Sequence, residues 1–544
     1  MEHILSYARD SYAEEYAWPP KTKQPPYVKL SRSDPTVVLS GVAQCDLGTP
    51  LYNRATALEE GVFARWKWDK TRLTAQVDPL GFFSLFYWYD ENTLIVSPSV
   101  LQLLAQGADP TPDPRALGVF YRLGLFINED TPFRNIKVLP PGGELIWDGG
   151  HVSVTRRDMP ISEQNVSRDT AVDGIIEMTR ASLQNVAASA SEELILPLSG
   201  GRDSRHILLG LKHLGAPPMA AVTYQHCGAI FHSETRAARA ICERVGLRHE
   251  GLGHPRPVTG DILRSLTLTS LCSDEHAQMM PMHDYLAQRS AVALDGIGGD
   301  ILTTPDDAAA GHYAQAQKED YSAIARDMMA GHAAVLRRPG QTAGPGELYS
   351  TVPEAETRAY IAEAIAQFGD APDPYQSFWF WHRTRREISF VSSTLFATGG
   401  AIYCPYLDSG FVQFCLSLPW SVTKDQKLHS EALRRGYPHA QDVGFGDSFA
   451  SSPRARSSMI GRAKKVRTGF GAIMAMRPAR PITEARHFLF GSPSLFRRPG
   501  EIYQFHNLSV SGMTADLAQR LLDRAAHLHA TAPQTLISDV FNPK

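Results

Sequence analysis

Residues 194–209 read LILPLSGGRDSRHILL. An apolar run, Leu194 to Leu198, ends in Ser199-Gly200-Gly201. Arg202-Asp203-Ser204 follow, and then an apolar segment of helical length. The pattern predicts a strand, a tight glycine turn and the start of a helix. Adjacent glycines let the backbone turn sharply and approach a ligand closely. A helix start offers unpaired N–H groups and the positive end of its dipole, which suits an anion. Ser199 and Ser204 add hydroxyl donors, and Asp203 is a candidate ligand for the magnesium ion that accompanies a polyphosphate. No Gly-Lys-Ser/Thr follows the glycines, so this is not the other common phosphate-binding turn.

A second apolar run ends in a glycine-rich turn about a hundred residues on. Residues 291–302 read AVALDGIGGDIL, with Asp295, Gly296, Gly298, Gly299 and Asp300 in the turn. A third segment, residues 403–419, reads YCPYLDSGFVQFCLSLP. It predicts a turn and then a helix, with Asp408 near the N-cap and Phe411, Phe414, Cys415 and Leu418 on one stripe. Between them, Met219 to Tyr224 reads as a buried strand and Ser233 to Val245 as a helix. A helix over Ala171–Ala188 leads into the first turn. Strands alternating with helices argue for a parallel sheet covered on both faces, with ligands at the carboxyl ends of its strands.

The first turn resembles the S-G-G-x-D-S pyrophosphate loop of the ATP pyrophosphatases. The second resembles the G-x-G-x-D-E turn of the asparagine synthetase family, and the third that family's R-x-P-F-L-D-x-x-L-V-E-F-x-x-x-L-P segment. Together they mark a resemblance to the asparagine synthetase superfamily from about Thr36 to Pro438. That superfamily includes asparagine synthetase, β-lactam and carbapenam synthetases and lasso-peptide cyclases. The resemblance implies that ATP and Mg2+ are used to adenylate a carboxylate, and that a nitrogen nucleophile then displaces AMP. It assigns nucleotide contacts to Leu198, Ser199, Gly200, Gly201, Arg202, Asp203, Ser204, Val222, Thr223, Asp295, Gly296, Gly298 and Gly299. Asp203 and Asp300 are the implied metal ligands. Arg202 is either a fixed positive charge beside the phosphates or an exposed loop arginine. Lys424 or Lys427 occupies the region of a family lysine that stabilises adenylation, a solvated lysine being the other reading. Glu387 is a candidate base for the amine.

Two positions depart from the family pattern. Ile301 stands where a glutamate follows the aspartate, and Ala401 where a glutamate precedes the third segment.

Residues 1–160 read as short strands and turns: Thr36–Leu39, Leu73–Val77, Phe82–Tyr89, Thr93–Val96 and Glu144–Trp147. Residues 78–87, DPLGFFSLFY, and 132–143, PFRNIKVLPPGG, resemble elements of glutaminase domains of the N-terminal nucleophile type. Those domains use an N-terminal cysteine. Here Glu2 follows Met1, the first cysteine is Cys45, and no N-G-E-x-Y-N stretch is present. The expectation is therefore an α/β protein in two parts. Residues 1–160 form a layered α+β, glutaminase-like domain without its nucleophile. Residues 165–544 form a synthetase domain with a parallel sheet and a helical C-terminal region.

The 544 residues carry a net charge of −3, which gives no reason to expect nucleic acid or an anionic membrane as a partner. No apolar run reaches the length of a bilayer span. Six scattered cysteines without a C-x-x-C pair read as reduced thiols in a cytoplasmic protein. His276 and His283 read as structural. The basic stretch 454–467 reads as a solvated loop or as a contact for an acidic or peptidic substrate.

The function expected is an ATP-dependent, AMP- and pyrophosphate-forming amide ligase acting on a small-molecule or peptide carboxylate, without glutamine hydrolysis. Ammonia-dependent asparagine synthesis and a catalytically silent nucleotide-binding protein are the alternatives. Identity of the acid and the amine and the oligomeric state stay open.

Overall fold

The computed structural model describes residues 25–449 except 34–35, 54–55, 110, 112, 191–192, 225–232, 253–264, 266–267, 274–275, 305–308 and 337–352. The basic stretch 454–467 and the C-terminal region beyond it lie outside the described residues.

Two antiparallel five-stranded sheets form the N-terminal part. The first runs in the order β2 (Thr36–Gly41), β1 (Val28–Ser33), β7 (Thr93–Ser97), β6 (Phe86–Tyr89), β8 (Lys137–Val138). The second runs β10 (Val152–Thr155), β9 (Glu144–Trp147), β5 (Leu73–Val77), β4 (Leu58–Trp68), β3 (Gln44–Asn53). Period-two alternation turns one face of each inward: Leu73, Ala75 and Val77 of β5 are buried, with Thr74 and Gln76 between them half-buried. Leu30 and Val96 of the first sheet share one core with Trp66, Ala75 and Trp147 of the second.

The strand expected over Phe82–Tyr89 begins only at Phe86. Asp78 is the cause. It is fully buried, and its carboxylate accepts the N–H groups of Phe63, Leu80, Phe82 and Phe83, which bends the chain around it. Burial pushes that carboxyl up to about 6.

The third sheet is wholly parallel, in the order β13 (His249–Leu252), β12 (Ala220–Tyr224), β11 (Leu194–Pro197), β14 (Val292–Leu294), β15 (Ile402–Tyr403). Its strands are apolar runs: all three residues of β14 and the first four of β12 are buried, as a sheet covered on both faces requires. Counted along the chain, the order is third-second-first-fourth-fifth. The direction of winding therefore reverses between β11 and β14, and a crevice opens at the carboxyl ends of those two strands.

Four helices position the site. α1 (Pro114–Leu123) starts at Asp113, whose carboxylate accepts the N–H groups of Arg115 and Ala116, and stops at Gly124. α2 (Arg168–Ser189) precedes β11, α3 (Asp203–His213) follows it, and α4 (Ser233–Val245) follows β12. Although α1 lies among the N-terminal strands in sequence, it packs elsewhere. Val119 and Leu123 join Ile324, Met328, Ile361 and Phe378 in a separate apolar cluster.

Buried polar ties fasten the N-terminal sheets to the rest. Asn53 donates to Asp408 at 2.7 Å, Ser409 donates to Glu60 at 2.7 Å, and the Ile402 N–H donates to Thr49 at 2.9 Å. Asp408 caps the helix Ser409–Leu416 by accepting the Phe411 N–H.

Residues Trp379–Ile388 and Val391–Phe396 are π-helical. The wider π turn spaces side chains four or five residues apart along each face.

Candidate active site

The two glycine turns, distant in sequence, touch each other at the switch point. A β-carbon on Gly296 would lie 3.0 Å from Cβ of Asp203, and one on Gly299 would lie 2.7 Å from its Cγ. Gly298, between them, has a φ of +89°, a conformation that glycine adopts without strain. Above the contact lies a cavity of about 710 Å3. Leu198, Ser199, Asp203 and Ser204 line it from the first turn, and Asp295, Gly296, Gly298, Asp300 and Ile301 from the second. Val222 and Thr223 line it from β12, beside Leu198. Thr223 donates its hydroxyl to the Leu198 carbonyl at 2.6 Å, holding the two strand ends in register.

The first turn is braced by its own hydroxyls. Ser204 Oγ accepts the Ser199 N–H at 3.1 Å, and Ser199 Oγ accepts the Gly201 N–H at 3.1 Å. The Gly200 N–H donates to Glu234 of α4 at 2.7 Å. Gly200, Gly201 and Arg202 do not line the cavity. The Arg202 side chain turns to Ser430 at 2.7 Å and lies over Phe445. Gly299 does not line it either, being packed beneath Asp203.

Three carboxylates converge here. Burial, with Asp300 and Asp295 nearby, holds the Asp203 carboxyl well above its ordinary value. Arg202 and the Asp300 N–H pull the other way. Asp295 spends its oxygens on the turn, accepting from the Ser392 hydroxyl at 2.7 Å and from the N–H groups of Ile297 and Gly296. Asp300 is exposed to the cavity.

Behind Asp203 stands a buried histidine pair. Thr303 donates its hydroxyl to the Gly299 carbonyl at 2.5 Å, so it accepts from Nδ1–H of His429 at 2.9 Å. His429 Nε2 then accepts from Nδ1–H of His206 at 3.1 Å. The network fixes these tautomers. Burial pushes His206 down to about 3 and His429 well below its usual range, so both are neutral. His429 Nδ1 also lies 3.3 Å from Oδ1 of Asp203. The pair buttresses Asp203. Sequence reading missed it, because the two histidines lie over two hundred residues apart and share no motif.

The opposite wall comes from the π-helical segment, with Trp379, Arg383, Thr384, Glu387 and Ile388, and from Leu123 and Gly124 at the end of α1. Glu387 is buried, 3.5 Å from the Arg383 guanidinium, and its carboxylate accepts from the Ser273 hydroxyl at 3.4 Å. His276 donates from Nε2 to the Glu387 carbonyl at 2.8 Å, a structural contact. Lys424 and Lys427 are exposed, and neither lines the cavity. Ala401 has no acid to offer; its carbonyl accepts the Ala293 N–H between β14 and β15. Trp379, Arg383, Glu234 and the end of α1 are lining groups that no motif announced.

The donor set suits a hard divalent cation. Asp203 Oδ1 is buried without a hydrogen-bond partner, and the nearest acids are carboxylates, the oxygen ligands such an ion takes. Among the described residues, no three or more His, Cys, Asp and Glu side chains form a cage that could hold a metal alone. That fits an ion bound by one or two carboxylates and completed by substrate phosphates.

Among the described residues no helix is long and apolar enough to cross a membrane. Cys242, Cys272, Cys404 and Cys415 are buried free thiols, and Cys45 is half-buried.

Residues 180–437 match the family model described as asparagine synthase, a span that includes both turns and the π-helical segment. No curated protein matches the chain. Solved structures give 22 matching chains. One is the glutamine phosphoribosylpyrophosphate (PRPP) amidotransferase from B. subtilis complexed with ADP and GMP. It is 10% identical with a TM-score of 0.16, over 44% of this chain and 67% of that one.

Proposed function

We propose that this chain, which belongs to the asparagine synthetase superfamily through residues 180–437, activates a carboxylic acid as its acyl-adenylate and joins it to an amine. Membership brings ATP-dependent carbon–nitrogen ligation. The finer reading, AMP-forming and independent of glutamine, is ours. The observation that carries it is the contact between Asp203 and the Gly296–Asp300 turn, with Ser199 and Asp300 lining one cavity.

In this reading the phosphates lie over the start of α3, where the helix dipole and the Ser199 and Ser204 hydroxyls favour negative charge. Leu198, Val222 and Thr223 receive the adenine. Magnesium, held by Asp203 and Asp300, supplies neutralisation of the charge on the phosphates. The substrate carboxylate oxygen attacks the α-phosphorus. The bond to pyrophosphate breaks, pyrophosphate leaves with the bonding pair, and the acid remains joined to AMP as a mixed anhydride. An amine nitrogen then attacks the acyl carbon, and AMP departs with the bonding pair. Glu387, buried on the facing wall, takes the amine proton. The wall of Trp379, Arg383 and Leu123 meets the acid, a small molecule or a peptide terminus.

Independence from glutamine is supported by the place of Cys45. It lies inside β3, paired with Trp66 of β4, and burial raises its thiol, the opposite of an activated nucleophile.

The test is exchange of labelled pyrophosphate into ATP with Mg2+ across a panel of amino acids and peptide acids. Exchange that depends on one acid class, with AMP as product, supports the reading. ADP and phosphate as products contradict it. Bound ATP with no exchange for any acid favours a silent nucleotide-binding protein. Asparagine formed from aspartate and ammonium favours ammonia-dependent asparagine synthesis instead. Glutamate released from glutamine overturns the glutamine-independent part.

A further inference from the structure

Gly200, buried in the first turn, is gripped from outside that turn on both sides. Its N–H donates to Glu234 of α4 at 2.7 Å, and its carbonyl accepts the Gly446 N–H at 3.0 Å. The two grips meet at the Glu234 carboxylate. A β-carbon on Gly200 would stand 2.9 Å from its Oε2, and one on Gly446 would stand 2.1 Å from its Oε1. Glu234 keeps its place only while neither position carries a side chain.

Gly446 belongs to a strap, residues 443–449, that is fastened to the two helices flanking the turn. Arg205 of α3 is 3% exposed. Its Nη1 donates to the Val443 carbonyl at 2.6 Å and its Nη2 to the Gly444 carbonyl at 2.7 Å. The Phe445 ring lies against the guanidinium groups of Arg205 and Arg202, at 4.2 and 5.1 Å. Arg236 of α4 donates to the Phe449 carbonyl. No residue of the strap lines the cavity, whereas Ser199 and Ser204 do. The Ser199 N–H is held by Ser204 and the Gly201 N–H by Ser199, so a shift of Gly200 carries both hydroxyls with it.

We propose that Gly446 is a positioning residue for the nucleotide: it leaves the Glu234 carboxylate room to hold the Gly200 N–H, and so the strap sets where the Ser199 and Ser204 hydroxyls meet the phosphates. The inference rests on the reading of the first turn as the phosphate site. A methyl group at position 446 is relieved most cheaply by swinging the Glu234 carboxylate aside. That carboxylate is the free end of a flexible side chain, while the strap backbone is locked by Arg205. The fold then survives, and the Gly200 N–H loses its acceptor.

Calorimetric titration of the full chain with α,β-methylene-ATP and Mg2+ tests this without knowledge of the acid. Gly446→Ala and Glu234→Ala should each bind at least about tenfold more weakly than the wild type. Their melting temperatures should stay within a few degrees of it. The double variant should bind within about threefold of Glu234→Ala, because the methyl group has no carboxylate left to displace; independent effects would multiply to about a hundredfold. A purely structural role would lower the melting temperature and leave the affinity of the folded protein unmoved. Wild-type affinity in either single variant, or a double variant as weak as the product of the two, overturns the proposal and leaves the nucleotide site standing. Failure of Gly446→Ala to fold also overturns it, since the methyl group would then displace backbone and not the carboxylate. A wild type that binds no nucleotide overturns both this proposal and the reading beneath it.

Discussion

Gly299 packs so closely beneath Asp203 that a β-carbon there would stand 2.7 Å from the aspartate Cγ. No real β-carbon comes that near a neighbour, so one of the two turns must give. Gly299→Ala should push Asp203 out of place at a cost of about 1–3 kcal/mol in stability, the usual range for overpacking. Nucleotide-dependent activity should fall much further, at least tenfold. Chemical denaturation and pyrophosphate exchange, run side by side, read the two effects.

Asp203→Asn separates charge from shape. The substitution removes a half-buried carboxylate beside Asp300 and Asp295, whose proximity already raises its proton affinity. Loss of that repulsion should leave the melting temperature unchanged or higher. Loss of the proposed metal ligand should lower AMP formation about 100-fold or more, the scale of a transition-state charge contact. A variant with normal AMP formation would show that Asp203 holds no part of the reaction.

Glu387→Gln splits the two half-reactions. Glu387 faces the cavity from the wall opposite the turns, next to Arg383. As a base for the amine it is needed only after the adenylate forms. Exchange of pyrophosphate should stay near the wild-type rate, while amide formation falls about 100-fold or more. Equal loss of both would make Glu387 a structural group.

The lysines outside the cavity should be dispensable. Lys424 and Lys427 are exposed and line no part of it. Lys424→Met and Lys427→Met should each leave exchange within about twofold, the effect of about 0.5 kcal/mol expected at the surface. A larger loss in either variant would return that lysine to the reaction.

The buried histidine pair gives stability a sign in pH. His206 has a folded-state value of about 3, pushed down by burial and by Arg180. An unfolded histidine titrates near 6.5. Between these values the unfolded chain binds more protons, so the stabilisation is complete above about 6.5 and is lost as pH falls toward 3. The slope contributed by this residue is at most about 1.4 kcal/mol per pH unit. Urea denaturation from pH 7 to 4 should show it, and His206→Asn should flatten the curve while His429 keeps its own part.

The first turn and α3 were legible because strand, glycine turn and helix are contiguous and each carries its own local signal. The parallel sheet was legible from its apolar runs. The order of the strands was not, since β11 pairs with β14 across nearly a hundred residues and no local pattern records that. The same limit hid the contact between Gly299 and Asp203, although both residues had been singled out. That Glu234 takes the Gly200 N–H depends on how α4 docks on the loop, which no local pattern records. The π winding was illegible because the composition of residues 379–388 suits an α-helix equally well. What the winding does is place Glu387 toward the cavity.

The central claim is that two separated turns hold one nucleotide. A crystal structure of the chain with α,β-methylene-ATP and Mg2+ tests it most directly. The phosphates should lie between Ser199 and Asp300, the ion on Asp203 and Asp300, and the adenine against Leu198 and Val222. A nucleotide bound elsewhere, with the space between Ser199 and Asp300 left to solvent, would contradict it.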